Sequence, residues 1–527
     1  MKRAPLAFLA LALGLAGWFI ASSAPVFDEP AHLASGYSVL RTGRYRNEVM
    51  IHPPFAEAWA ALPLLVLPLE DFFSHPDYAD WRIFHHADRF LYRNRMPAAR
   101  ILGAARAFNL LTWLPLVFAV LILWSRRIGG ELAAVSAAGA AALTPALLSN
   151  FSLATADAAP AALWFASFWL LRESTLSSRR GETLAAAAGV CAGLAAASKF
   201  NMILLMPTAL ALLALQVRGD GRRCARLAAL FCLCSSAALA LVYRVTYLPL
   251  YFQDLAAALS ELKGGRASFL FGRHLSTGHW AYFPTALLVK TPIPVLALCF
   301  AGCFFKTREA FWIFIPPAVY LAAAMACPTQ IGIRHLLPVI PFMLLLAGLG
   351  AAELCSRKRG KTLVLALGLW AGVSVGASSP HLLAYFNEAV GGPARGYRVL
   401  VDSNLDWGQA LPDLGRYLRR EGSPTIFLSY FGTADPAAYG IRYVPVLFPP
   451  HVDRPGNAEG WDASGRVLFA VSATNLQGVY FSDPGLLGWL KSRKPVRTFG
   501  YSIFLYDLAD DAQGQALLVR LLADPRA

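Results

Sequence analysis

A chain of 527 residues with 57% hydrophobic and only 15% charged residues carries too little polar side chain to cover a water-soluble protein of this length. A helix bundle solvated by lipid needs far less. The net charge of +15 does not point to nucleic acid, because the basic residues fall between apolar runs or in one Arg-rich loop, with no basic module interleaved with exposed aromatics.

In chain order, Lys2-Arg3 precede an apolar run that ends in Trp18-Phe19-Ile20, which predicts an uncleaved first span over 5–24. The small residues 21–24 also describe a signal-peptide cleavage site, and on both readings residue 25 onward lies outside. Further apolar windows predict spans at 102–124, 130–151, 157–172, 183–198, 201–217, 226–247, 284–305, 309–327, 336–353 and 362–379, about eleven in all. With Lys2-Arg3 in the cytoplasm, every second short loop is basic: Arg126-Arg127, Arg179-Arg180, Arg222-Arg223, Lys306 with Arg308, and Arg357-Lys358-Arg359. That alternation obeys the positive-inside rule. The cysteines lie in or beside apolar runs, so no disulfide framework is implied.

Two long segments then fall on the extracytoplasmic side. Residues 25–100 hold helical apolar patterns after Asp28-Glu29-Pro30 and after His52-Pro53-Pro54, which predict helices lying on the membrane surface. Residues 380–527 change character, with β-like runs at 425–428, 467–471 and 502–506 and helical patterns at 405–420 and 483–491. The expected fold class is therefore a polytopic α-helical membrane module over 1–379 with an extracytoplasmic (periplasmic) α/β domain over 380–527.

The candidate chemistry sits where charge is costly. Asp28 and Glu29 follow the first span directly, and adjacent carboxylates beside a bilayer are expensive unless paired or used. Helix capping is the plainer reading of Asp28 by itself. Asp157 is a single acid in Ala-rich surroundings. Lys199, Lys290 and Arg334 stand at the same ends of their spans, with His52 and His335 beside such ends. Cations there can snorkel without function, whereas a phosphate ester at the interface gives a reason to keep them. A carboxylate to deprotonate a hydroxyl and cations to stabilise a departing phosphate are what transfer from a lipid-phosphate carrier requires. Asp28, Glu29, His32 and His52 could also assemble a site for a divalent cation, although no HExxH-type spacing demands one.

These residues resemble the GT-C superfamily of integral-membrane glycosyltransferases, in its protein O-mannosyltransferase and aminoarabinose-transferase branch. The likeness rests on Asp28-Glu29-Pro30-Ala31-His32, His52-Pro53-Pro54-Phe55, Thr155-Ala156-Asp157-Ala158, Ser198-Lys199-Phe200-Asn201 and Ile333-Arg334-His335-Leu336-Leu337-Pro338. The resemblance implies a polyprenyl-phosphate-sugar donor, a glycan, lipid or protein acceptor, and a cell inner-membrane location. It casts Asp28 as general base with Glu29 in support, Asp157 as a positioning acid, and Lys199, Arg334 and more weakly Lys290 as phosphate contacts. Val401-Asp402-Ser403-Asn404-Leu405-Asp406-Trp407-Gly408-Gln409 and Tyr430-Phe431-Gly432 resemble the outer domain of bacterial members. A transporter or flippase of a lipid-linked anion would use the same cations, but predicts inverted repeats that the sequence does not display.

Overall fold

The computed structural model describes residues 3–45, 52–449, 455–458 and 465–523; Lys2 lies outside them. Helical elements occupy all eleven expected positions, though not each as one helix of spanning length. By length and composition four are fit to cross a membrane: Ala4–Ser22, Ala98–Ala142, Gly221–Val242 and Gly360–Ser378. The last leaves Leu365, Leu369 and Val373 exposed, an apolar face that suits hydrocarbon rather than water. The 45-residue helix joins two expected spans into one element. Gly130, with φ +76° and ψ −169°, breaks its geometry, as a residue without a Cβ readily does.

The expected span at 284–305 is instead a pair of helices, Tyr282–Lys290 and Ile293–Gly302, bent by 111°. Pro292 lies in the break, where its missing N–H and its restriction on Thr291 end the first helix. Shorter apolar helices, among them Gly181–Ala196, Ala310–Ala326 and Ile340–Cys355, complete the bundle.

Between the first two spanning helices, Glu29–Thr42, Phe55–Ala61 and Ile83–Tyr92 form the helical part of the long loop. Strands β1 (Ser268–Leu270) and β2 (Arg273–Leu275) make an antiparallel hairpin. The C-terminal part holds β3 (Thr425–Ser429), β4 (Arg442–Pro445), β5 (Leu468–Ser472), β6 (Arg497–Phe499) and β7 (Ile503–Asp507). Their order is β4-β3-β5-β7-β6, with β3 parallel to both β4 and β5 and the β5–β7 and β7–β6 pairs antiparallel. The helix expected over 405–420 is regular only from Leu411 to Arg420. Residues 402–409 instead form a turn whose backbone binds the loop after the first helix: Ala24 N donates to Gln409 O at 2.9 Å and Phe27 N to Trp407 O at 2.8 Å. Leu382, Phe386, Leu400 and Leu405 share one buried core with the bundle helices.

Candidate active site

Asp28 stands at the start of helix Glu29–Thr42, with Pro30 in its first turn, where an N–H would have no helical partner. The capping reading of Asp28 fails, because its side chain accepts no hydrogen bond from the helix. Its Oδ2 accepts instead from Arg334 Nη1 at 3.0 Å, across 306 residues of sequence. Oδ1 has no partner among the described residues.

Glu29 points the other way and is 0% exposed. Its two oxygens accept from Arg106 Nε (2.8 Å) and Nη2 (2.6 Å), Val26 N (2.8 Å) and Ala154 N (2.9 Å). Four donors, two of them from one guanidinium, saturate this carboxylate. It fastens the first loop to the bundle and has no oxygen left for a substrate.

Asp157 precedes helix Ala158–Leu176 and likewise does not cap it. Lys199 Nζ donates to its Oδ1 at 2.5 Å, and Arg334 Nη1 lies 3.6 Å from its Oδ2. Arg334 thus sits between two carboxylates. Its short 3-10 helix, Ile333–Leu336, is pressed against the 402–404 turn. A Cβ at Gly332 would come within 2.1 Å of Ser403 Oγ, so this approach requires glycine. The Arg334 guanidinium lies 4.2 Å from the centre of the Trp407 ring, a cation–π contact that holds its plane.

Lys290 is directed elsewhere, which corrects the expectation of a phosphate contact. Its ammonium donates to the carbonyls of Leu383 (2.8 Å), Tyr385 (2.5 Å) and Asn404 (2.5 Å), so its three donors are all engaged. Asn404 Oδ1 in turn accepts from Ile333 N at 2.9 Å. Lys290 therefore braces the turn beneath Arg334.

Three histidines surround the charged group. His32 is paired with Glu57 through Nδ1 at 2.8 Å; burial pulls its pKa down, and Glu57, Asp28 and Asp157 outweigh that and raise it. His52 lies with its ring 5.6 Å from that of His32. Burial, followed by His32, Lys199 and Arg334, holds it well below the usual histidine value. His335 is held low by burial, Lys199 and Arg334, and its buried Nε2 has no hydrogen-bond partner among the described residues. His52 and His335 are thus neutral near pH 7, suited to hydrogen bonding. No group of three or more His, Cys, Asp or Glu side chains among the described residues is placed to hold a metal ion. The set that sequence suggested is divided, since Glu29 is saturated and His32 is held by Glu57.

Two cavities, of about 740 and 620 Å³, meet at this group, and Phe27, Asp28 and Arg266 line both. The larger is also lined by Arg334, Asp402, Trp407 and Tyr480. Asp402 accepts from the Tyr480 hydroxyl and, at 2.5 Å, from Ser403 N, and adopts φ +58°, unusual for a residue with a Cβ. Burial pushes its pKa up, against Tyr480, Arg266 and Arg334. Neither Arg266 nor Tyr480 was legible as a site residue, since no motif surrounds them. Asp402 and Trp407 were visible within the 401–409 motif, without a role.

The described residues thus form an apolar helix bundle with carboxylates and cations gathered at one end, beneath a layer containing a mixed sheet. The chain shares its fold with ArnT from Cupriavidus metallidurans. The structure of that protein bound to undecaprenyl phosphate aligns over 95% of this chain and 97% of its own, with 15% identity and a TM-score of 0.50. Its apo state aligns over the same shares with 13% identity and a TM-score of 0.50. The Archaeoglobus fulgidus oligosaccharyltransferase in its apo form aligns over 85% of this chain and 65% of its own, with 11% identity and a TM-score of 0.48. No protein-family model matches the sequence, and comparison with curated proteins gave no match.

Proposed function

We propose that this chain is an inner-membrane glycosyltransferase that moves a sugar from a polyprenyl-phosphate carrier to an acceptor hydroxyl at the extracytoplasmic face. The observation that carries the reading is the position of Asp28, bound to Arg334 through one oxygen and standing in the wall shared by two cavities. One cavity would receive the donor and the other the acceptor. The fold shared with ArnT, whose structure holds undecaprenyl phosphate, supports a polyprenyl-phosphate donor. In this reading residues 1–379 form the catalytic module, the helices of 25–100 lie at the membrane surface, and 380–527 cover the site from outside.

The acceptor hydroxyl gives its proton to Asp28 Oδ1 as its oxygen attacks the anomeric carbon. The bond from that carbon to the phosphate oxygen breaks, and its electron pair leaves with the phosphate. Arg334 and Lys199 stabilise the charge that develops there. Asp157 holds both cations in place, and a single displacement inverts the anomeric centre. The test is incubation of the purified protein in detergent with an undecaprenyl-phosphate-linked sugar and candidate glycan, lipid and peptide acceptors. Free undecaprenyl phosphate and a new glycosidic bond are expected. Movement of the intact lipid-linked sugar across proteoliposomes with no new bond overturns the reading in favour of transport.

A further inference from the structure

A second group of cations lies away from Asp28. Helix Leu411–Arg420 carries Arg416 and Arg420 four residues apart, hence on one face, and β6 brings Arg497 to the same hollow. With His381, Asp413 and Tyr417 they line a cavity of about 270 Å³. Asp413 is the single carboxylate in that lining, and both its oxygens are engaged, Oδ1 by Arg416 and Oδ2 by His381 Nε2 at 3.4 Å. Arg420 and Arg497 have no carboxylate within ion-pair distance among the described residues. Arg497 is held instead over the Tyr417 ring, 5.2 Å from its centre, and 5.9 Å from that of Phe499. Such stacking fixes a guanidinium plane and leaves its N–H edge free.

The hollow also has a defined place relative to the bundle. His381 comes three residues after helix Gly360–Ser378, which is long and apolar enough to cross a membrane and leaves Leu365, Leu369 and Val373 exposed. The point where such a helix leaves hydrocarbon is the level of the lipid headgroups. Anionic phosphodiesters are concentrated there. A concave site with surplus arginine and little carboxylate matches the oxygens of a phosphate.

We propose that Arg416, Arg420 and Arg497 bind the phosphate of an anionic lipid headgroup and so moor the C-terminal layer to the bilayer beside this helix. The site is independent of the glycosyltransferase reading, and its test uses no turnover. The full-length protein is extracted into detergent containing phosphatidylglycerol or phosphatidylcholine, and bound lipids are counted by native mass spectrometry. The wild type is expected to retain one more phosphatidylglycerol than the double variant Arg420→Gln/Arg497→Gln, with no such difference in phosphatidylcholine. Both arginines are exposed, so the variant should fold, and a melting curve checks that it does. Arg497→Lys keeps the charge but loses the planar fork, and should weaken retention at least threefold. Equal lipid counts in wild type and double variant overturn the proposal. So does full displacement of the lipid by millimolar inorganic phosphate, which would make the hollow a site for free phosphate.

Discussion

Helix Ala158–Leu176 has a charged cluster at each end, about 22 Å apart at 1.5 Å per residue. At one end Asp157 meets Lys199 and Arg334, with Asp28 beyond. At the other, Arg172 pairs with Glu173 and Glu309, Arg127 donates to Glu173 at 2.6 Å, and Trp124 Nε1 to Glu309 at 3.0 Å. Residue types are similar and each cluster is built on a buried arginine, Arg334 or Arg172, although Arg127 in the second is half exposed. The difference is access: Asp28 and Arg334 line a cavity, and Asp28 keeps one oxygen without a partner among the described residues, whereas the members of the second cluster line neither of the two cavities at the site. Ion pairing in an apolar bundle is therefore not itself a mark of function. A pair becomes a candidate site when a cavity reaches it and one of its atoms is left unused.

The sharpest way to break this comparison is to neutralise one acid at each end. Asp28→Asn is expected to lower kcat by about 10²- to 10⁴-fold, the usual contribution of a general base, with little change in Tm. Glu309→Gln is expected to lower Tm and leave kcat within twofold. Equal losses of kcat in the two variants would dissolve the distinction. Next in size is Glu29→Gln, which leaves Arg106 buried without its counter-charge. Breaking one partner of such a pair costs about 3–5 kcal/mol, to be read as a fall in Tm and in yield of folded protein, in contrast to its neighbour Asp28. Lys199→Met should raise KM for the lipid-linked donor about tenfold or more, if Lys199 is the phosphate contact proposed above. The same substitution at Arg127 in the far cluster should leave KM unchanged.

A further effect concerns pH. Burial pushes the Asp406 carboxyl up to about 7, against the hydrogen bonds from Thr474. A raised carboxyl pKa means that the folded state holds the proton more tightly than the unfolded chain, so its contribution to stability falls as pH rises from about 4 to 7 and is flat above. Asp406→Asn should remove that slope. Tm measured from pH 5 to 8 for wild type and variant checks it, and parallel curves would refute the assignment.

Much of the architecture was legible because lipid solvation leaves a strong one-dimensional signature: apolar runs mark the helices, and charges within or beside them are costly enough to stand out. Asp28, Asp157, Lys199 and Arg334 were visible for that reason, each separately. The bend at Pro292 was less visible, since prolines within an apolar run do not say whether the helix kinks or turns back. Arg266 and Tyr480 were invisible as site residues because their relevance comes from chain segments that meet only on folding.

The sequence by itself determined that this is a lipid-solvated helix bundle and which charged residues needed an explanation, because hydrophobic period and charge cost are local properties. Only the tertiary structure decided the partners. Glu29 and Asp28 are neighbours in sequence, yet successive residues at a helix start project about 100° apart, so one carboxylate is saturated by Arg106 and the other reaches Arg334 and a cavity. Lys290 and Lys199 look alike as cations at span ends, but one ends among three carbonyls and the other on a carboxylate. Which acceptor a long side chain finds depends on where distant segments pack, and that information exists only in three dimensions.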